Sequence, residues 1–380
     1  MPPAGGGRYA GRIDCPAYRG RMSIQPGMVD WDLAVSTATR LISPGPEVSR
    51  SEADAAVRSL RDQVEVAAAH VERITGLHPV GPIPVTRVVD RPGWVRVNAD
   101  GMSRLLTPLV QTLEERRPHP AGRFEQAVGP KATGLQAGGV LAFLSGKVLG
   151  QFEFFADPAG QLLLVAPNVV EAERSLAVPP ADFRLWVALH EVTHRVQFTA
   201  VPWLRGHLGS EIDALVDATD LDPDAVRERL SAFVSQLGSA LRGGEESQGI
   251  LGLIQSPAQK EIIERLTAFM SLVEGHAEYV MNAVGPDVIP SIAQIRERFG
   301  QRRKGTGPVD RLLRRLLGLD VKIRQYADGS KFVGAVVEAV GIDGFNQVWT
   351  SPETLPRKPE LAEPHAWVER VHGFRPAASA

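Results

Sequence analysis

His190-Glu191-Val192-Thr193-His194 places two histidines and a glutamate inside an apolar run of helical periodicity. Residues four apart lie one turn apart on the same helix face, so both imidazoles can reach one zinc ion while Glu191 projects beside the water on that metal. The chemistry that needs this set is hydrolysis. Zinc lowers the pKa of the water and polarises a carbonyl, and Glu191 takes the proton as general base. Peptide bonds are the natural target, so the expected partner is a peptide or protein substrate.

Two histidines leave a tetrahedral zinc in need of a third protein ligand, with the fourth position kept for water. The metzincin pattern places a glycine and a third histidine at the third and sixth positions after the second motif histidine. Here those positions hold Gln197 and Ala200, which excludes that class. The remaining standard solution is a glutamate from a later helix. Ser271-Leu272-Val273-Glu274-Gly275-His276-Ala277-Glu278-Tyr279 offers two carboxylates one turn apart. Glu274 is the expected third ligand. Glu278, on the same face, is the candidate acceptor for the remote nitrogen of His190 or His194. His276 points roughly opposite and is the weaker candidate. Tyr279, Tyr326 and His207 are candidate donors to the developing oxyanion.

The elements that must position these groups follow from periodicity and caps. Apolar residues recur at helical spacing from Asp32 to Ile42 and from Glu52 to Leu77, which predicts two opening helices. Val85–Val89 reads as a strand, and Asn98 as the N-cap of a helix through Leu105, Leu109 and Leu113. Gly146 to Pro167 reads as a β-hairpin about Asp157-Pro158-Ala159-Gly160, just ahead of the motif helix. Its edge is a candidate site for an extended substrate to add by main-chain hydrogen bonds. Asp222-Pro223 and Ser256-Pro257 pair an N-cap with a first-turn proline, predicting helices at 223–242 and 257–284, the second ended by Gly285-Pro286. Shorter helical patterns follow at 290–299, 309–318 and 330–340, then Trp349 and a Pro-rich tail. The expected class is mainly α with a small β-sheet or hairpin (α+β). A single domain over 28–373 is expected, between a disordered leader at 1–27 and a flexible tail at 374–380.

Composition narrows the function further. The 380 residues are 43% hydrophobic and 23% charged, as in soluble globular proteins. The net charge of −2 gives no global field toward nucleic acid or anionic lipid. Cys15 is the one cysteine, which rules out a disulfide framework or cysteine zinc site and points to a reducing cytoplasm. The first 27 residues hold Gly5-Gly6-Gly7 and scattered arginines but no apolar stretch of signal-peptide type, and Met28 is an alternative start.

With these residues in view, the chain resembles the zincin-like metallopeptidase family of actinobacteria and relatives, which includes a branch labelled as associated with deazaflavin-coenzyme biosynthesis. The resemblance runs from about Val29 to Val371. Its carriers are Val29-Asp30-Trp31-Asp32, Gly150-Gln151-Phe152, Ala166-Pro167-Asn168, Trp186 with the motif and Gln197-Phe198, Pro202-Trp203-Leu204, Glu274-Gly275-His276-Ala277, and Gln325-Tyr326 with Gly329 and Phe332. It implies a mainly helical zinc hydrolase. Glu274, Gly275, Ala277 and Tyr279 are also similar to the third-ligand helix of gluzincin peptidases, although the 79 residues between His194 and Glu274 far exceed the gluzincin spacing.

Two other classes compete. A zincin-derived binding or regulatory module would keep the fold without turnover, but has no need of the general base that Glu191 supplies. Nucleic-acid binding would use Arg296, Arg298, Arg302, Arg303, Lys304, Arg311, Arg314 and Arg315, yet no nucleic-acid motif accompanies them, and a solvated face is expected.

Overall fold

A strand buried on both faces organises the molecule, and its run Leu162-Leu163-Leu164-Val165 explains why. The computed structural model describes residues 28–115, 123–155, 159–218, 256–303 and 319–374. In chain order the first half comprises α1 (Trp31–Leu41), α2 (Arg50–Thr75), β1 (Val85–Val89), α3 (Arg91–Glu115), α4 (Arg123–Ser145), β2 (Gly150–Glu153) and β3 (Gln161–Val165). Then come α5 (Ala166–Ser175), α6 (Pro180–Ala200), α7 (Trp203–Asp217), α8 (Pro257–Ala283), α9 (Ile292–Arg303), α10 (Leu319–Phe345), α11 (Lys358–Ala362) and α12 (Pro364–His372). The class is mainly helical with one small sheet, as expected.

The sheet order is β1-β3-β2, with β1 parallel and β2 antiparallel to the central β3. Leu162 and Leu164 face one layer, built from α2, α5, α6 and part of α8, whereas Leu163 and Val165 face another, built from α1, α3 and α4. A strand covered on both sides needs apolar residues at every position rather than alternation. The hairpin read from the sequence is β2–β3, with Gly150 opposite Leu164 and Glu153 opposite Gln161. β2 lies at the edge of the described sheet.

The motif helix α6 is apolar nearly all round, with Phe183, Leu185, Trp186, Val187, Ala188, Leu189, Val192 and Val196 buried. Such a helix is stable only inside a protein. Pro180 stands at its N-terminal end, and Asp182 in its first turn accepts from both the backbone N and the Oγ of Ser291. Helix α8 begins with a capping box, Ser256 with Gln259, and Pro257 at its first position. Its end is marked by Gly285 at φ 76°, a left-handed conformation that costs glycine little. This start and end match the sequence expectation.

One expectation changes. The third helix begins at Arg91, not after Asn98. Asp90 accepts from the Gly93 amide and Pro92 occupies the first turn, while the Asn98 amide turns back to the Trp94 carbonyl from mid-helix. In the Pro-rich stretch, Pro352, Pro359 and Pro364 start short helices, and Trp367 is fully buried with Phe332 against it. A side chain of that size contributes on the order of 3 kcal/mol through burial. The helices expected at 223–242 and 309–318, and the leader at 1–27, lie outside the described residues. Among the described residues no helix is long and apolar enough to cross a membrane.

Candidate metal centre

Helices α6 and α8 bring His190, His194 and Glu274 together. The two Nε2 atoms stand 3.1 Å apart, and Glu274 Oε2 lies 3.6 Å from the first and 3.5 Å from the second. Three ligands each about 2.0–2.1 Å from a tetrahedral zinc are separated by about 3.3–3.4 Å, so this triangle has the right size. Among the described residues these three form the one group with metal-binding proximity. The histidines are partly exposed, with side-chain exposures of 20% and 13%, while Glu274 is at 9%. The fourth position can therefore face solvent.

Electrostatics also fit a cation. Glu191 and Glu274 are both buried, and buried charges in proteins are paired or bind metals. Desolvation works against a charged His194, yet the Glu274 and Glu191 carboxylates and the Gln197 hydrogen bond together lift its pKa above the usual imidazole value. The same negative field favours a dication, with protons as its competitors at low pH.

Glu191 is held by an element that sequence reasoning did not connect to it. Gly150 of β2 packs directly on its side chain: a Cβ there would stand 2.7 Å from Glu191 Cδ and 2.9 Å from Oε1. Only glycine lets the edge strand approach this closely. Behind β2, Gln151 accepts from Trp94 Nε1 and donates to Asn98 Oδ1, tying the strand to α3. Because what stands in the way is the Glu191 side chain, nearest at Cγ (2.5 Å), and not backbone, Gly150→Ala is expected to fold and keep its metal. Its displaced Glu191 should lower hydrolysis on the order of 10²-fold, the scale of a 1 Å misplacement. Parallel zinc analysis and peptide-cleavage assays check this; zinc loss would place the damage elsewhere.

The remaining candidates separate. His194 Nδ1 meets Gln197 Oε1 at 3.0 Å, three residues along its own helix, and not Glu278. The Glu278 carboxylate supports the charged form of Arg296 against burial. His276 is fully buried between Phe345 and Trp349, with Gln197 on its Nδ1. Desolvation first, then the neighbouring His194, pushes its pKa down to about 3, so it is neutral. Tyr279 is half-buried among apolar side chains, and His207 packs against Trp203 and Phe269. The Tyr326 side chain lies outside the described residues. Phe198, one turn beyond His194, stacks on Phe154 at 4.5 Å and gives the site an aromatic wall. Arg298 of the basic run donates to the Leu176 and Ala177 carbonyls, and Arg296 to that of Met281.

Comparison with known proteins agrees with this geometry. Residues 29–368 match a family described as zincin-like metallopeptidase. A crystal structure of "a putative hydrolase with a novel fold from Chloroflexus aurantiacus" is similar at 30% identity and a TM-score of 0.66, covering 91% of this chain and 99% of that one. No curated protein matches the chain.

Proposed function

The chain belongs to the zincin-like metallopeptidase family, and on that premise we propose that it is a zinc-dependent hydrolase cleaving peptide bonds, with His190, His194 and Glu274 as ligands and Glu191 as general base. The observation that carries this reading is the triangle of two imidazole nitrogens and a carboxylate oxygen, with separations of 3.1–3.6 Å, beside a buried Glu191. Zinc bound there supplies a Lewis acid that acidifies water and polarises a carbonyl.

The rest is done by the chain. Glu191, fixed by Gly150, accepts the proton of the attacking water and returns it to the departing amine, so that no amide anion must leave. β2 lies at the edge of the described sheet and passes over Glu191. An extended peptide pairing with its outer side would be drawn past the general base, with the Phe154–Phe198 wall nearby. The intact Glu191 disfavours a binding module without turnover. With a single cysteine in the chain, we place the activity in a reducing cytoplasm.

The test is cleavage of a mixed peptide library read by mass spectrometry. Cleavage that stops on chelation and returns with zinc supports the proposal. A zinc-loaded protein that leaves every peptide intact while hydrolysing another acyl or amide substrate would overturn the peptide assignment.

A further inference from the structure

Gln197 is fully buried, and all its amide hydrogen-bonding groups converge on the metal centre. Its Oε1 lies 3.0 Å from His194 Nδ1. Its Nε2 lies 2.9 Å from the Val273 carbonyl oxygen and 3.0 Å from His276 Nδ1. A carbonyl oxygen can only accept, so the NH2 group must face Val273 and Oε1 must face His194. His194 therefore carries its proton on Nδ1, which leaves the Nε2 lone pair directed at Glu274 and His190. The second amide hydrogen points at His276 Nδ1, so that imidazole must hold its proton on Nε2, the opposite tautomer.

One side chain thus grips both ligand helices. It orients His194 on α6, and on α8 it holds the carbonyl of Val273, the residue immediately before Glu274. We propose that Gln197 is a positioning residue of the metal centre, setting the tautomer of His194 and the register of Glu274, with His276 fixing which way the amide points. The proposal rests on the zinc-site reading above.

Zinc affinity measured by competition with a chromophoric chelator tests it in the parent, Gln197→Leu and Gln197→Glu. Gln197→Leu should bind zinc on the order of 10- to 100-fold more weakly, the usual cost of losing such a partner. Gln197→Glu keeps the acceptor for His194 but loses the donor to the Val273 carbonyl, so it should weaken zinc binding by less than Gln197→Leu does. Zinc affinity within about twofold of the parent in Gln197→Leu would overturn the proposal, as would equal weakening in both variants, which would reduce Gln197 to packing. A parent that binds no zinc would remove the zinc reading along with this one.

The tautomer of His276, read by 15N NMR on the metal-free full-length protein, is independent of zinc and decides the case if Gln197→Leu does not fold. The parent should show the proton on Nε2. In Gln197→Glu it should move to Nδ1, because a carboxylate only accepts. Nδ1–H in the parent would contradict the amide orientation.

Discussion

Glu191→Gln is expected to retain zinc at the parental level while losing hydrolysis on the order of 10²- to 10⁴-fold, the contribution of a positioned general base. Glutamine is nearly isosteric, so it fits under Gly150 without moving β2. It leaves the ligand triangle of His190, His194 and Glu274 in place but has no lone pair basic enough to take a proton from water. The pairing of full metal with lost turnover is what separates a base from a ligand. Loss of zinc along with activity would mean that Glu191 ligates or supports the metal. Unchanged turnover would mean that another group takes the proton.

Glu274→Ala is expected to lose most of the metal. It removes the one carboxylate of the triangle and opens a hole between α6 and α8 beside two imidazoles. The loss in zinc affinity should exceed the ~10- to 100-fold that removal of an outer-shell partner costs. Full zinc occupancy in Glu274→Ala would end the assignment of Glu274 as third ligand.

Much of the site was legible because its signals are local. Helical periodicity places His190 and His194 on one face, and the capping box at Ser256 fixes where the helix of Glu274 begins. The hairpin and the strand at Val85–Val89 were legible from their apolar runs for the same reason. Gln197 carried a local signal as well, since its position three residues after His194 puts it within reach along one helix. Its amide is uncharged, so charge does not mark it as a partner of His194 in the way that it marks Glu278 as a candidate on the other ligand helix.

What stayed hidden depends on approaches between distant segments. The role of Gly150 exists only because β2 crosses α6 at contact distance. Gly275, beside the third ligand, packs backbone to backbone on Gly329 of α10, and no spacing rule links residues 54 positions apart. His276 reads as a turned-away histidine until Gly341, at φ 73°, breaks α10 and lets Phe345 and Trp349 close around it. The helices after residue 350 were not legible either, because a proline that starts a short helix and one that breaks a chain look alike until Trp367 is seen buried.

The most direct test of the metal centre is elemental mass spectrometry of the purified protein beside His190→Ala. About one zinc per chain is predicted for the parent, from a single three-ligand site, with most of it lost in the variant. A parent without zinc after reconstitution, or a variant that keeps the parent's zinc, would contradict the account.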